Sequence, residues 1–151
     1  MTISARTAAV GLGLGLALAA ALGVQRAPQT IVVRMQGNEF RPRIVQAHPG
    51  DSVRFMNGNG GPHNIAFAVD SISAAALTLL TAAMKGEKIG PVSGPLLLEE
   101  ESYAFVVPAL PAGRYPILCV PHMTNMRGEL RVSRLSLMSR DSGRASASAI
   151  R

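Results

Sequence analysis

Cys119, His122 and Met126 fall within eight positions of one short stretch, Tyr115 to Gly128. A thiol, an imidazole and a thioether so close together are soft and borderline donors. Soft sulfur with imidazole suits copper, and a thiolate with two histidines and a weak axial methionine suits one-electron transfer. Zinc also takes Cys and His, but a thioether in the fourth place argues against it as the native metal. Cys119 is the only cysteine of the chain, so a two-cysteine binuclear copper centre is excluded. No Ser-His-Asp or paired-carboxylate arrangement is evident, and a donor set of four leaves no open position for a substrate. These residues therefore point away from an enzyme. What the stretch lacks is a second histidine.

Two others exist, His48 and His63. His48 stands in the turn His48-Pro49-Gly50-Asp51, with proline and glycine at the places a reverse turn favours. It reads as an exposed residue at the end of the fold away from the site. His63 follows the Gly-rich segment Asn57 to Pro62, read as a flexible loop, and lies fifty-six residues before Cys119. In a sandwich of antiparallel strands, loops distant in sequence gather at one end. His63 is thus the missing imidazole.

The elements that must position these residues are mostly strands. Thr30 to Met35 is β-branched, Ser52 to Met56 alternates apolar and polar, and Ser102 to Val107 alternates through Tyr103, Phe105 and Val107. Arg43 to Ala47, Ile65 to Val69, Arg114 to Val120 and Glu129 to Val132 read as further strands, and Asn38 to Pro42 as a turn. From Asp70 or Ser71 to Lys85, Ile72, Ala75, Ala76, Leu79, Leu80, Ala83 and Met84 recur at helical spacing. Met35, Met56 and Met84 read as core filler, and Glu99 to Glu101 as an exposed acidic turn. Seven or eight short strands and one inserted helix predict an all-β Greek-key sandwich.

The chain of 151 residues divides into three. Residues 1–27 carry Arg6 and an apolar run from Ala8 to Val24, which reads as a signal peptide or an uncleaved N-terminal membrane anchor. Either predicts an exported, periplasmic or extracytoplasmic protein. Residues 28–133 form the folded domain. Residues 134–151 are a basic Ser/Arg/Ala-rich tail, read as disordered. The net charge is +6, yet 28–133 holds nine basic and eight acidic residues. The excess belongs to the termini, which speaks against a nucleic-acid face.

The order Phe40-Arg-Pro, Gly50-Asp-Ser-Val-Arg-Phe, Pro62-His-Asn, Pro111-Ala-Gly-Arg-Tyr and Cys119-Val-Pro-His resembles the cupredoxins, the small blue copper proteins such as plastocyanin, pseudoazurin, amicyanin and azurin. The resemblance runs from about Thr30 to Val132. It implies one mononuclear copper ion held by His63, Cys119, His122 and, axially, Met126, with Met123 the rival for the last place. It implies that Asn64 lies behind the metal, its N–H on the cysteine sulfur and its side chain tying two loops together. Val120 stands where relatives often have Ser or Thr, so one partner of that side chain should be missing. Pro121 has no N–H to offer the sulfur, which favours Cu(II). Pro62, Pro121 and Met123 would form an apolar rim around His122 for docking redox protein partners. The function implied is single-electron transfer by a monomer. The alternative is copper binding and delivery on the same fold.

Overall fold

A computed structural model describes residues 26–134. The expected signal or anchor segment and the tail lie outside the described residues, apart from Arg26, Ala27 and Arg134. The described part begins with strand β1 (Thr30–Gln36), then β2 (Glu39–Arg41), β3 (Ile44–Ala47), β4 (Ser52–Asn59) and β5 (Ala66–Phe67). Helix α1 (Ala74–Ala83) follows, then β6 (Ser102–Val106), β7 (Gly113–Leu118) and β8 (Arg127–Val132). The strands form two four-stranded sheets, ordered β2-β1-β4-β6 and β3-β8-β7-β5. The β1–β4 and β3–β8 pairs are parallel and the rest antiparallel. This is the expected Greek-key sandwich with eight strands.

The alternation of the sequence decides what lies between the sheets. Val33 and Met35 of β1, Val53 and Phe55 of β4, Tyr115 and Ile117 of β7, and Leu130 and Val132 of β8 are all buried, while Arg34, Arg54 and Arg114 face out. A one-residue slip in any of these strands would exchange the two sets. A run of phenylalanine rings crosses the layers. Phe40 packs edge-on against Phe55, Phe55 stacks with Phe105, and Phe105 meets Phe67 of the opposite sheet edge-on at 6.0 Å. Such ring pairs add about 0.5–1.5 kcal/mol each beyond the area they bury.

Several elements differ from the sequence reading. The segment Asn38 to Pro42 contains β2, because Phe40 is buried and its neighbours pair with β1. β4 continues through Asn59, so the Gly-rich segment is strand for its first half, and Asn57 is buried there with its side-chain N–H groups on the Gly61 and Leu97 carbonyls. β5 is only two residues long, and Val69–Ser71 is a 3-10 turn. The helix starts later than expected. Ser73, extended in backbone, caps it by accepting from the Ala76 N–H at 3.4 Å, satisfying one of the free donors of the first turn. Of the expected apolar face, Ala76, Leu80 and Met84 are buried, whereas Ala75 and Leu79 face solvent. Met56 points to the outer side of its sheet and is half-buried.

The sandwich has two distinct poles. β4 and β7 both run toward one of them, where His63 and Cys119 follow. At the other, the turn from β3 to β4 holds Asp51, which is 1% exposed. Its carboxylate accepts from Arg26 at 2.8 and 3.1 Å and from the N–H groups of Gln29 and His48 at 2.8 and 2.9 Å. Ser133 leaves β8 at the same pole, its N–H on the Ala47 carbonyl. Arg26 therefore already belongs to the folded unit. His48 is half-buried rather than exposed, with Nδ1 3.6 Å from Asp51, because the turn folds its ring back over the buried carboxylate.

Candidate metal centre

Two connections build the site. The first, Gly60 to Ile65, leaves β4. Gly60 and Gly61 have φ of +97° and +98°, and a Cβ on Gly60 would lie 2.7 Å from the Gly37 backbone. Glycine is required there for the conformation and for the close approach. The chain then passes His63, whose N–H and C=O both pair with Leu97. The second connection leaves β7 at Cys119. The Tyr115 hydroxyl donates to the Pro111 carbonyl at 2.7 Å and so fixes the turn that aims β7. The loop closes on itself: the His122 N–H bonds the Cys119 carbonyl, the Met126 N–H bonds the His122 carbonyl at 2.8 Å, and the Cys119 N–H bonds the Met126 carbonyl at 3.1 Å.

These backbone bonds bring the donors together. Nδ1 of His63 lies 3.7 Å and Nδ1 of His122 3.5 Å from the Cys119 sulfur, and the three donor atoms lie within 4.8 Å of one another. Ligands about 2.0–2.3 Å from one tetrahedral ion would stand roughly 3.5 Å apart. His63, Cys119 and Met126 are fully buried and His122 is partly exposed. Met126 returns toward Cys119 in the fold, while Met123 is 50% exposed. Pro62 and Pro121 are exposed beside it. A soft thiolate, two imidazoles and a buried thioether fit a single type-1 copper ion.

The imidazoles are set up as donors. Nε2 of His63 lies 3.2 Å from the Asn59 carbonyl, which fixes the proton on Nε2 and leaves Nδ1 facing the sulfur. Burial lowers the pKa of His63, the Asn59 bond opposes this, and the charge of His122 adds to the lowering. His63 is therefore neutral at neutral pH. Burial raises the Cys119 pKa, against smaller lowering by the Asn64 and His122 N–H groups, so the metal-free thiol keeps its proton. Copper must displace it. Apparent copper affinity should accordingly rise about tenfold per pH unit through neutrality, one proton being released per ion. Chelator competition at pH 6 and 7 measures this.

Asn64 is fully buried between the connections. Its N–H points at the Cys119 sulfur at 3.4 Å, and its side-chain oxygen accepts from the Val120 N–H at 2.8 Å. The side-chain nitrogen has no partner, as expected with Val at position 120. The tie between the loops thus runs through backbone and not through a side chain at 120. Asn64→Ala should cost about 1–2 kcal/mol by leaving the Val120 N–H without a partner, read by urea unfolding of metal-free protein. Asn59 and Leu97 were invisible in sequence as parts of the site. Each acts through its backbone, which carries no residue signal.

A family model described as "Copper binding proteins, plastocyanin/azurin family" matches residues 29–133. Plastocyanin A/B of Petroselinum crispum is 31% identical over 98 residues, covering 64% of this chain and 90% of its own length. Chloroplastic plastocyanin of Physcomitrium patens is 28% identical over 106 residues, 67% of this chain and 56% of its own length. The match thus spans little more than half of the moss protein. Among solved structures, an oxidised amicyanin variant superposes with a TM-score of 0.51 at 26% identity, covering 69% of this chain and 82% of that one. A reduced amicyanin variant gives 0.50 at 25% identity, covering 74% and 89%. With a matched sequence pattern, a matched sandwich and a donor set that suits the metal, the chain is a cupredoxin and belongs to the plastocyanin/azurin family of copper binding proteins.

Proposed function

We propose that this protein is an exported, monomeric, mononuclear blue copper protein that carries single electrons between redox protein partners. His63, Cys119 and His122 are the strong ligands and Met126 the axial one. Copper at this site supplies the one-electron Cu(I)/Cu(II) couple. The chain supplies the rest: donors held in one arrangement before metal arrives, so that little ligand movement accompanies electron transfer. The observation that carries this reading is the convergence of two Nδ1 atoms on a buried sulfur that Asn64 already restrains.

His63 is enclosed, whereas His122 is partly exposed. Electrons leave through the edge of His122, and the exposed Pro62, Pro121 and Met123 form the docking rim. A small apolar contact suits a transient partner. Pro121 offers no hydrogen to the sulfur, whereas the Asn64 N–H points at it at 3.4 Å. An oxidised sulfur–copper site of this type absorbs intensely in the visible. Copper-loaded protein should be coloured and give a reversible one-electron wave with fast self-exchange. A colourless copper protein would sink the reading, and rapid Cu(I) loss to an apo-acceptor without a reversible wave would favour copper delivery instead.

Export is supported by the N-terminal apolar run. Among the described residues no helix is long and apolar enough to cross a membrane.

A further inference from the structure

Next to the metal pole, the turn into β2, β2 itself, Arg43 and the end of the ligand loop border a cleft of about 200 Å³, lined by Asn38, Glu39, Phe40, Arg43, Asn125 and Arg127. Two arginines, Arg43 and Arg127, line this small space. Among the described residues, Arg26, Arg41, Arg114 and Arg131 each stand beside a carboxylate, and Arg54 donates to Ser102. Arg43 and Arg127 have no such partner, and neither has Arg34 on the outer face of β1, but only Arg43 and Arg127 line the cleft. The one carboxylate in the cleft, Glu39, is held by Arg41 at 2.9 and 3.1 Å.

Backbone contacts hold together the two segments that carry these arginines. The Glu129 N–H donates to the Arg43 carbonyl at 2.9 Å. A Cβ on Gly128 would lie 2.7 Å from that carbonyl oxygen, so only glycine lets the segment carrying Arg43 lie against the start of β8. Like charges brought together without a counter-charge repel one another. The planar forks of arginine match carboxylate and phosphate oxygens, and two asparagine side chains add neutral donors. The cleft is smaller than the ~300–1,000 Å³ of a drug-sized or cofactor pocket, which limits the ligand to a single small group.

We propose that this cleft binds a small oxyanion, a phosphate or carboxylate group, between Arg43 and Arg127. Arg127 directly follows Met126. An anion here cancels positive charge beside the metal site and favours the more positive, oxidised state. This second consequence rests on the electron-carrier reading; the binding does not.

Titration of inorganic phosphate, and separately of acetate, into metal-free protein at low ionic strength tests the binding by calorimetry and by amide shifts at Asn125 and Arg127. Saturable one-to-one binding is expected, weakened at least about tenfold in Arg43→Gln and in Arg127→Gln, as for loss of a charge-assisted pair. Arg54→Gln, on the outer face of its sheet, should leave it unchanged. Both substituted cleft residues are exposed, so folding is retained. Equal binding in all three variants, or only the graded response of general screening, overturns the site. In copper-loaded protein, phosphate should lower the midpoint potential of the parent and not of Arg43→Gln. Binding without that shift overturns the coupling to the metal.

Discussion

Cys119→Ala protein, offered Cu(II) under conditions that colour the parent, is expected to stay colourless. The visible band requires thiolate sulfur bonded to copper, and the Cys119 sulfur is flanked by both imidazole Nδ1 atoms. Its removal leaves two histidines and a thioether, a set without anionic charge to offset a divalent ion. Affinity should fall by several orders of magnitude, since the thiolate is the strongest of the donors for a soft metal. The fold should survive. Exchanging a buried thiol for a methyl group removes one atom, at a cost of about 1 kcal/mol in a packed core. Metal-free parent and variant should therefore melt close together, while their copper-loaded forms separate widely. If the variant still gives the intense band, the sulfur assignment is wrong.

The second large effect lies at the opposite pole. Asp51→Asn should destabilise the metal-free protein by about 3 kcal/mol at pH 7, because Arg26 loses its counter-charge and one carboxylate oxygen becomes a donor facing donors. Burial alone would raise the pKa of Asp51. The Arg26 hydrogen bond, the N–H groups of Gln29 and His48 and the Arg26 charge outweigh it and bring the pKa down to about 2. A depressed folded-state pKa contributes stability that is full above the unfolded-state value near 3.8 and is lost as pH falls through the folded value. The ionisation part is on the order of 2 kcal/mol. The parent should therefore weaken between about pH 4 and pH 2, and Asp51→Asn should lack that particular decline. Urea unfolding at pH 7, 4 and 2.5 measures both limbs. A parent–variant gap that does not narrow below pH 4 would contradict the carboxylate's role.

How far the sequence carries depends on which atoms do the work. Alternation located β4 and β6 because one face of each must be apolar, β-branched residues located β1, and short apolar runs located β3, β7 and β8. It missed β2, whose three residues bury only Phe40, and it overran β5, whose apolar flank Ile65 is buried outside the strand. Helical spacing found α1, yet the helix is capped by Ser73 and not begun at Asp70 or Ser71, because Val69–Ser71 forms a separate 3-10 turn. His63, Cys119, His122 and Met126 were legible because their chemistry is written in their side chains. The supports from Asn59 and Leu97 were not, because a carbonyl or N–H looks the same at every residue. His48 was misplaced for a related reason: turn chemistry predicts the bend, while the buried Asp51 decides where the ring goes.

The clamp of Arg26 and Ser133 at one pole has a practical meaning for anything joined to the protein. Both ends of the described unit leave it at the pole away from His63 and Cys119. An eight-residue strand such as β4 rises about 3.3 Å per residue, so Arg26 and Ser133 stand roughly 25 Å from the His122 edge. On the electron-carrier reading, a short linker fixed at Arg26 and joined to an electrode would leave the His122 edge facing away from the support. Electron exchange with the support itself would then be slow, and exchange with freely diffusing partners would be unobstructed.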